Sequence, residues 1–252
     1  MKKDVLLFQE LTHRAWLARD TFVHKGWLVR VSEGVTKRAN SVMPISYHGV
    51  DLEKDISIVY KLYKDNNLPL IFQIPDYFEP PNLVEYLQNS EFLITDETIV
   101  MSTEIEQDNF SPNKDRFDVV IEHDVDVKWY QALKRLADID SSKLEGFRKI
   151  ISRTYNEKIT CSVMKDNHPV GIVLGVIEKP YIGIFDLVVH SAYRRQGIGE
   201  YIMRIMMSYA QKSKLQTMYL QVEANNLPAV KMYKKLNFQE RYRYRYLARE
   251  KK

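Results

Sequence analysis

The stretch YRRQGIGEYIMR, residues 193–204, places two arginines and two glycines directly before an apolar segment. Glycine is about 1 kcal/mol less favourable than alanine inside a helix, so Gly197 and Gly199 work against the helix they precede. The residues before the stretch, IFDLVVH, predict a β-strand. Those after it predict an amphipathic helix over 199–212. The stretch is therefore predicted to be the turn that joins a strand to the N-terminus of a helix.

Such a turn is suited to bind an anion. The first backbone N–H groups of a helix lack helical partners, and the helix dipole is positive at that end. Glycine lets the backbone close around a phosphate, and Arg194 and Arg195 add positive charge. The stretch lacks the Lys-Ser/Thr pair of a nucleotidase loop and the three-glycine fingerprint of dinucleotide folds. The alternative is that the glycines only make room for packing.

Two motifs in this chain resemble those of the GCN5-related N-acetyltransferases (GNAT). The first is the acyl-coenzyme A signature of that family, supplied by Arg194, Gly197 and Gly199. The second lies in VEANNLPAVKMYKKLNF, residues 222–238, where an Asn-Ala-Tyr spacing is followed by Phe238. Asn237 replaces the glycine that is usual before that phenylalanine. Asparagine tolerates the left-handed conformation that a helix C-terminus often needs.

The resemblance implies that an acetyl group moves from acetyl-CoA, the only cofactor expected, to an amine. It implies that the strand DLVV separates from its neighbour LQVE at a bulge and pairs with the pantetheine arm. The turn would then hold the pyrophosphate. The coenzyme-binding residues expected from the resemblance are Leu187, Val188, Val189, Arg194, Arg195, Gln196, Gly197, Ile198, Gly199, Glu200, Asn226, Ala229 and Tyr233.

Acetyl transfer needs a base for the amine and an acid for the leaving thiolate. Tyr233 is the candidate acid by its motif position, and the alternative is that its ring only packs in a helical stripe. Glu223 and Asp186 are the candidate bases, since each is at or inside an apolar strand. A proton relayed by water is the remaining possibility. Asn226 either contacts pantetheine or caps the helix that follows it.

The chain is predicted to be an α/β protein with two GNAT-like halves. Each half is expected to be a mixed, mostly antiparallel sheet flanked by helices, and the C-terminal half is expected to be complete. We predict a degenerate N-terminal domain at 1–111 and the acetyltransferase domain at 112–252, with a polar linker at 106–116. A strand-helix-strand order recurs in both halves. Aligning Phe92 with Phe238 sets Leu87 opposite Tyr233.

Composition limits the partners. The net charge of +4 permits an anionic ligand but does not argue for nucleic acid. No apolar run is long enough to span a membrane. The single cysteine, Cys161, excludes an internal disulfide and favours the cytoplasm, and the six histidines show no metal spacing. The expected acceptor is a small amine, or the N-terminus or a lysine of a peptide or protein. The protein is expected to be a monomer or a homodimer.

Two stretches leave alternatives open. RYRYRY, residues 241–246, predicts a strand with tyrosines on the core and arginines in water, but it could also be a basic lining for an acidic acceptor or for RNA. KRANS, residues 37–41, either faces the acceptor or forms a turn. The alternative functions are a non-catalytic module that binds CoA or a partner protein, and an RNA-associated basic protein.

Overall fold

The structure is a computed structural model that describes residues 2–105 and 117–249. Within these ranges the helices are α1 (Lys2–Ala15), α2 (Leu52–Asp65), α3 (Leu83–Asn89), α4 (Val127–Leu136), α5 (Ser141–Arg153), α6 (Ile198–Lys212) and α7 (Leu227–Lys235). The strands are β1 (Asp20–His24), β2 (Trp27–Val31), β3 (Val42–Met43), β4 (Ile71–Pro75), β5 (Phe92–Glu104), β6 (Asp118–Glu122), β7 (Glu157–Lys165), β8 (His168–Glu178), β9 (Tyr181–Val189), β10 (Thr217–Glu223) and β11 (Gln239–Arg249). None of these helices is long and apolar enough to cross a membrane.

The strands form one continuous sheet in the order β1-β2-β3-β4-β11-β5-β10-β9-β8-β7-β6. The pairs β3–β4 and β9–β10 are parallel, and the other pairs are antiparallel. The sequence therefore predicted the α/β class and the mixed sheet correctly, and the structure adds that the sheets of the two halves are joined. The predicted linker 106–116, with the boundary at 111/112, lies outside the described residues.

The two halves exchange their final strands. β11 pairs with β4 on one side, through Tyr244–Ala248, and with β5 on the other side along its length. β5 in turn lies between β11 and β10, with Glu104 opposite Thr217 and Thr98 opposite Glu223. Thus β11, the last described strand, forms its ladder hydrogen bonds with β4 and β5 of the first half. β5, the last strand of the first half, in turn pairs with β10 and β11 of the second half.

The predicted internal repeat is confirmed in detail. The unit β4–α3–β5 matches the unit β10–α7–β11, and the two run antiparallel at the centre of the sheet. Glu91 and Asn237 occupy equivalent positions after α3 and α7, and both have the left-handed φ of 65°. Leu87 and Tyr233 are both buried. The prediction that Asn237 substitutes for glycine by adopting this conformation is also confirmed.

The two faces of the sheet carry separate layers of helices. The apolar side of α6 packs on β7–β10 with Ile202, Met203 and Met206 fully buried, and Tyr233 of α7 joins the same cluster. On the opposite face, α1, α4 and α5 cover a second cluster, which contains Trp16 and Trp129. α2 packs on the first-half strands in a third cluster.

The RYRYRY strand is structural, as the first of its two interpretations predicted. Tyr242, Tyr244 and Tyr246 are buried on the face that α1 covers. Arg243 and Arg245 both pair with Glu97 on β5, with nitrogen to oxygen distances of 3.1 and 3.0 Å. The charge of these arginines is partly balanced by Glu97 on the neighbouring strand, so they do not form a free basic surface.

The strand exchange predicts that neither half folds alone. A fragment of residues 112–252 would leave β11 without either of its hydrogen-bonded neighbours, because β4 and β5 belong to the first half. We expect the fragments 1–111 and 112–252 to be insoluble when expressed separately and to form a stable complex when co-expressed. Size-exclusion chromatography and circular dichroism measure this outcome. A soluble, cooperatively melting 112–252 fragment would contradict it.

Candidate functional site

The parallel strands β9 and β10 separate halfway along their length. They pair from Thr217 opposite Tyr181 to Leu220 opposite Ile184, and β9 then continues to Val189 without β10 beside it. The register of β9 against β8 shifts in the same region, and Asp186 has a left-handed φ of 49°. The predicted separation at a bulge is therefore present. It leaves one backbone edge of the segment 185–189 unpaired with β10.

Side chains of this open segment alternate between the two faces of the sheet. Leu187 and Val189 pack against the cluster under α6, whereas Val188 and Phe185 belong to the face under α1. A linear ligand lying in the gap would therefore meet α6 and α7 on one side and α1 on the other.

The turn from β9 to α6 ends in an uncapped helix N-terminus. Gly197 is the N-cap residue, has a left-handed φ of 79° and offers no side chain to the first-turn N–H groups. Arg195 is also left-handed, at 62°, and the Arg194 side chain donates from Nε to the carbonyl of Val189 at 3.2 Å. Arg194, Arg195 and Gln196 are exposed, whereas Ile198 is buried. Positive charge and free N–H groups thus meet at one point.

Gly199 has a different role from Gly197. A Cβ at Gly199 would lie 3.2 Å from the sulfur of Met232, so the residue allows α7 to approach α6 closely. Glu200 fixes the same contact by pairing with Lys235 at 2.8 Å, and that bond lowers the pKa of Glu200. Gly199 therefore makes room for the packing of α7 on α6, and its place in the coenzyme site stays a prediction. The need for a left-handed backbone conformation, which favours glycine, applies at Gly197.

α7 carries the remaining motif residues to the gap. Asn226 caps the helix, with Oδ1 accepting from the Ala229 N–H at 3.3 Å. Tyr233 is buried, and its ring lies 5.7 Å from that of Phe238. Burial raises the pKa of Tyr233, so its hydroxyl is protonated at neutral pH and can donate a hydrogen bond.

The two candidate bases lie in different environments. The Oδ2 atom of Asp186 is buried and has no hydrogen-bond partner among the described residues. Desolvation raises the pKa of Asp186 to about 6, against the opposing charge of Arg38. Glu223 is exposed at the end of β10. Its role stays a prediction.

The first half reaches this region through Arg38, a residue that the sequence did not single out within KRANS. Arg38 lies in a short 3-10 helix, Lys37–Ala39, and its guanidinium carbon is 5.3 Å from the Trp16 ring and 5.4 Å from the Phe185 ring. Trp16 and Phe185 stack on each other at 5.5 Å. The polar run KRANS was the only sequence signal of this contact.

The equivalent helix start in the first half lacks an open anion site. Asp51 caps α2, with its carboxylate accepting from the Lys54 N–H at 3.0 Å, and Glu53 and Asp55 follow in the first turn. These acids satisfy the positive helix end that α6 leaves open. β3 has two residues, so no long unpaired strand edge lies beside α2. The first half therefore resembles the second in topology but not in its ligand-binding features.

The other polar candidates fit structural roles. Cys161 is buried, and desolvation raises the pKa of its thiol to about 12, so it is not a nucleophile at neutral pH. No group of three or more metal-ligating side chains occurs in the parts of the chain that the structure describes.

Known proteins match the whole arrangement. Residues 10–247 match the family described as "Probable histone acetyltransferase Rv0428c C-terminal". The protein described as "Uncharacterized N-acetyltransferase YobR" of Bacillus subtilis (strain 168) is 29% identical over 241 residues, which cover 93% of this chain and 94% of YobR.

Solved structures show the same fold. A GCN5-related N-acetyltransferase from Kribbella flavida superposes with a TM-score of 0.71 at 13% identity, covering 99% of this chain and 96% of its own. A tandem GNAT protein from the clavulanic acid biosynthesis pathway has a TM-score of 0.69 at 9% identity, covering 95% and 86%. At these identities the likeness concerns the fold.

Proposed function

Because the chain belongs to the Rv0428c C-terminal family and is an N-acetyltransferase of the GNAT superfamily, we propose that its acyl donor is acetyl-CoA and its acceptor an amine. One observation carries the proposal: the unpaired edge of β9 leads directly to the uncapped N-terminus of α6. An extended amide chain that ends in a pyrophosphate has matching chemistry at both places.

The coenzyme is proposed to lie along the open segment of β9. Backbone groups of Leu187 and Val189 would bond the pantetheine amides, as an added strand would. The N–H groups from Arg195 to Glu200 would hold the pyrophosphate, with the Arg194 and Arg195 side chains adding charge. Asn226 and Ala229 would flank the arm from α7. The left-handed Gly197 keeps this turn free of a Cβ.

Direct transfer requires proton movements at the amine and at the thiolate. The carboxylate of Asp186 accepts a proton from the acceptor ammonium, and the amine nitrogen then attacks the thioester carbonyl. The new C–N bond forms, the C–S bond breaks, and the Tyr233 hydroxyl donates to the departing thiolate. The second proton lost by the amine nitrogen, relayed by water, restores the Tyr233 hydroxyl. The support for these roles is that the buried Oδ2 atom of Asp186 lacks a partner among the described residues and that Tyr233 is buried in the cluster under α6. The exposed Glu223 is the second candidate for the base.

Acetyl-CoA should raise the melting temperature of the protein, since a ligand that binds only the folded state stabilises it. Gly197→Val should abolish this shift, because a β-branched side chain is strained at a φ of 79° and fills the turn. Differential scanning fluorimetry measures the shift. Gly34→Val is the matched control, since Gly34 is left-handed at 74° but lies in the first half. An equal shift in Gly197→Val and wild type would contradict the proposed coenzyme site.

Tyr233→Phe should lower kcat by roughly a hundredfold or more and leave the KM for acetyl-CoA nearly unchanged. The substitution removes one hydroxyl and keeps the buried ring. Steady-state kinetics test this, with Tyr155→Phe as control because Tyr155 is 96% exposed. The rate loss should shrink with an acyl donor whose thiol is more acidic. Wild-type turnover by Tyr233→Phe would leave the residue a purely structural role.

The raised pKa of Asp186 predicts how activity depends on pH. The carboxylate accepts a proton only when ionised, so kcat/KM for the acceptor should rise with pH through about 6. Asp186→Asn should remove this inflection and lower kcat/KM by on the order of a hundredfold. Glu223→Gln is the comparison. If it removes the inflection and Asp186→Asn retains it, the base is Glu223.

A further inference from the structure

All buried side-chain nitrogen and oxygen atoms that lack a partner in the described residues belong to one region. It lies between α1 and the face of the sheet formed by β4, β11 and the open part of β9. The residues that carry these atoms are Gln9, His13, Arg38, Gln73, Asp186 and Tyr242, and we refer to them as the α1-face cluster. Gln9 is 2% exposed and neither atom of its amide is bonded, and Tyr242 is also 2% exposed.

Contacts and charges link the members across the sheet. Arg30 of β2 donates to Gln73 Oε1 at 2.5 Å, and it also lies near His13 and Tyr242. The α1 side of this region reaches the separation of β9 and β10, because Gln221 donates to the Thr12 hydroxyl at 3.1 Å. Gln221 follows Leu220, the last residue of β10 that pairs with β9. The cluster therefore reaches the gap between β9 and β10 along which the coenzyme is proposed to lie.

The region carries more positive than negative charge, and of its two arginines Arg30 is buried and Arg38 is half-buried with a buried Nε atom. Arg30 is 1% exposed and is bonded only to neutral oxygens, those of Ser41 and Gln73. Arg38 rests on aromatic rings and makes no ion pair among the described side chains. Burial lowers the pKa of His13 to about 4, so this side chain is neutral. Asp186 is the one carboxylate near Arg38 in the described cluster.

Apart from Asp186, the charged side chains near the two arginines do not compensate for them, because these neighbours form ion pairs among themselves. Arg14 pairs with Glu178 at 2.7 Å, and Lys37 pairs with Asp96. A buried cation without a counter-ion costs free energy that an anionic ligand recovers. Unbonded amide and hydroxyl groups add a similar demand for ligand hydrogen bonds.

We infer that the α1-face cluster is the acceptor site and that the acceptor is a small amine bearing a carboxylate, as an amino acid does. This inference rests on the proposed acetyl transfer. The acceptor carboxylate binds Arg38, and its ammonium group faces Asp186 at the gap between β9 and β10. Arg38 is then a specificity residue supplied by the first half. A lysine-rich peptide has no carboxylate beside its amine and is the contrasting acceptor.

Matched acceptors test the charge requirement directly. With saturating acetyl-CoA, free L-amino acids are compared with the corresponding L-amino acid amides and with a lysine-rich peptide, using thiol release as the assay. We expect the preferred amino acid to exceed its amide roughly tenfold to a hundredfold in kcat/KM, as loss of a bond to a charged group implies. In the presence of CoA, the same amino acid and not its amide should raise the melting temperature.

Variants then assign the preference to Arg38. Arg38→Gln should raise the acceptor KM and remove the discrimination between acid and amide, while the thermal shift by acetyl-CoA stays unchanged. Arg38→Lys should retain part of the discrimination. Arg245→Gln is the control, because this half-exposed arginine pairs with Glu97 away from the cluster. If Arg38→Gln fails to fold, the comparison of amino acids with their amides as acceptors of the wild-type protein still tests the carboxylate requirement.

The outcomes separate this inference from the function on which it rests. Equal or greater turnover of amides or of the lysine-rich peptide overturns the carboxylate requirement while leaving acetyl transfer intact. Acetyl-CoA binding without turnover of any amino acid also overturns the inference. Absence of any stabilisation by acetyl-CoA instead contradicts the proposed function itself.

Discussion

The hydrogen-bonded ladder between β5 and β11 is the constraint on which the rest of the structure depends. Each strand leaves its own half and completes the sheet of the other, so two incomplete sheets become one. The exchange places β5 directly beside β10, the strand that separates from β9. It thereby fixes the first half next to the candidate site. α1 and Arg38 reach Phe185 because of this arrangement.

The two halves show how one topology can keep or lose a ligand site. Both contain a parallel strand pair joined by a helix, and the second strand of each pair begins a strand-helix-strand unit. In the second half the helix has Gly197 as its N-cap residue, which leaves the first-turn N–H groups free. In the first half the Asp51 carboxylate caps the helix, and two further acids follow in its first turn. The difference lies in the residues at the start of the helix and in the length of the preceding strand.

The sequence predicted those features that depend on neighbouring residues. The glycine-arginine turn, the left-handed Asn237 and the alternation of Tyr242 with Arg243 follow from backbone sterics and strand periodicity. The helix predicted over 199–212 is α6, and the strand predicted at RYRYRY is part of β11. The short strands β1 and β3 carry no comparable signal, because β1 is largely exposed and β3 has only two residues.

The strand exchange and the contact of Arg38 with the Trp16 and Phe185 rings could not be predicted from one sequence. Both depend on contacts between residues far apart in the chain, and a local sequence pattern does not indicate which distant residues will be in contact. Periodicity showed that β11 is a strand but not which strands would be its neighbours. The run KRANS was visibly polar, yet only the fold brings Arg38 to the Trp16 and Phe185 rings.

The exchange also imposes an order on the assembly of the chain during synthesis. β5 ends at Glu104, and β11, which must enter between β4 and β5, begins at Gln239. While the intervening residues are made, β4 and β5 each present an open edge to the other and to neighbouring chains. Direct pairing of β4 with β5 would exclude β11 and leave the second half unfinished. The position between β4 and β5, which β11 fills in the complete sheet, is therefore also the place where this chain is most prone to misfold.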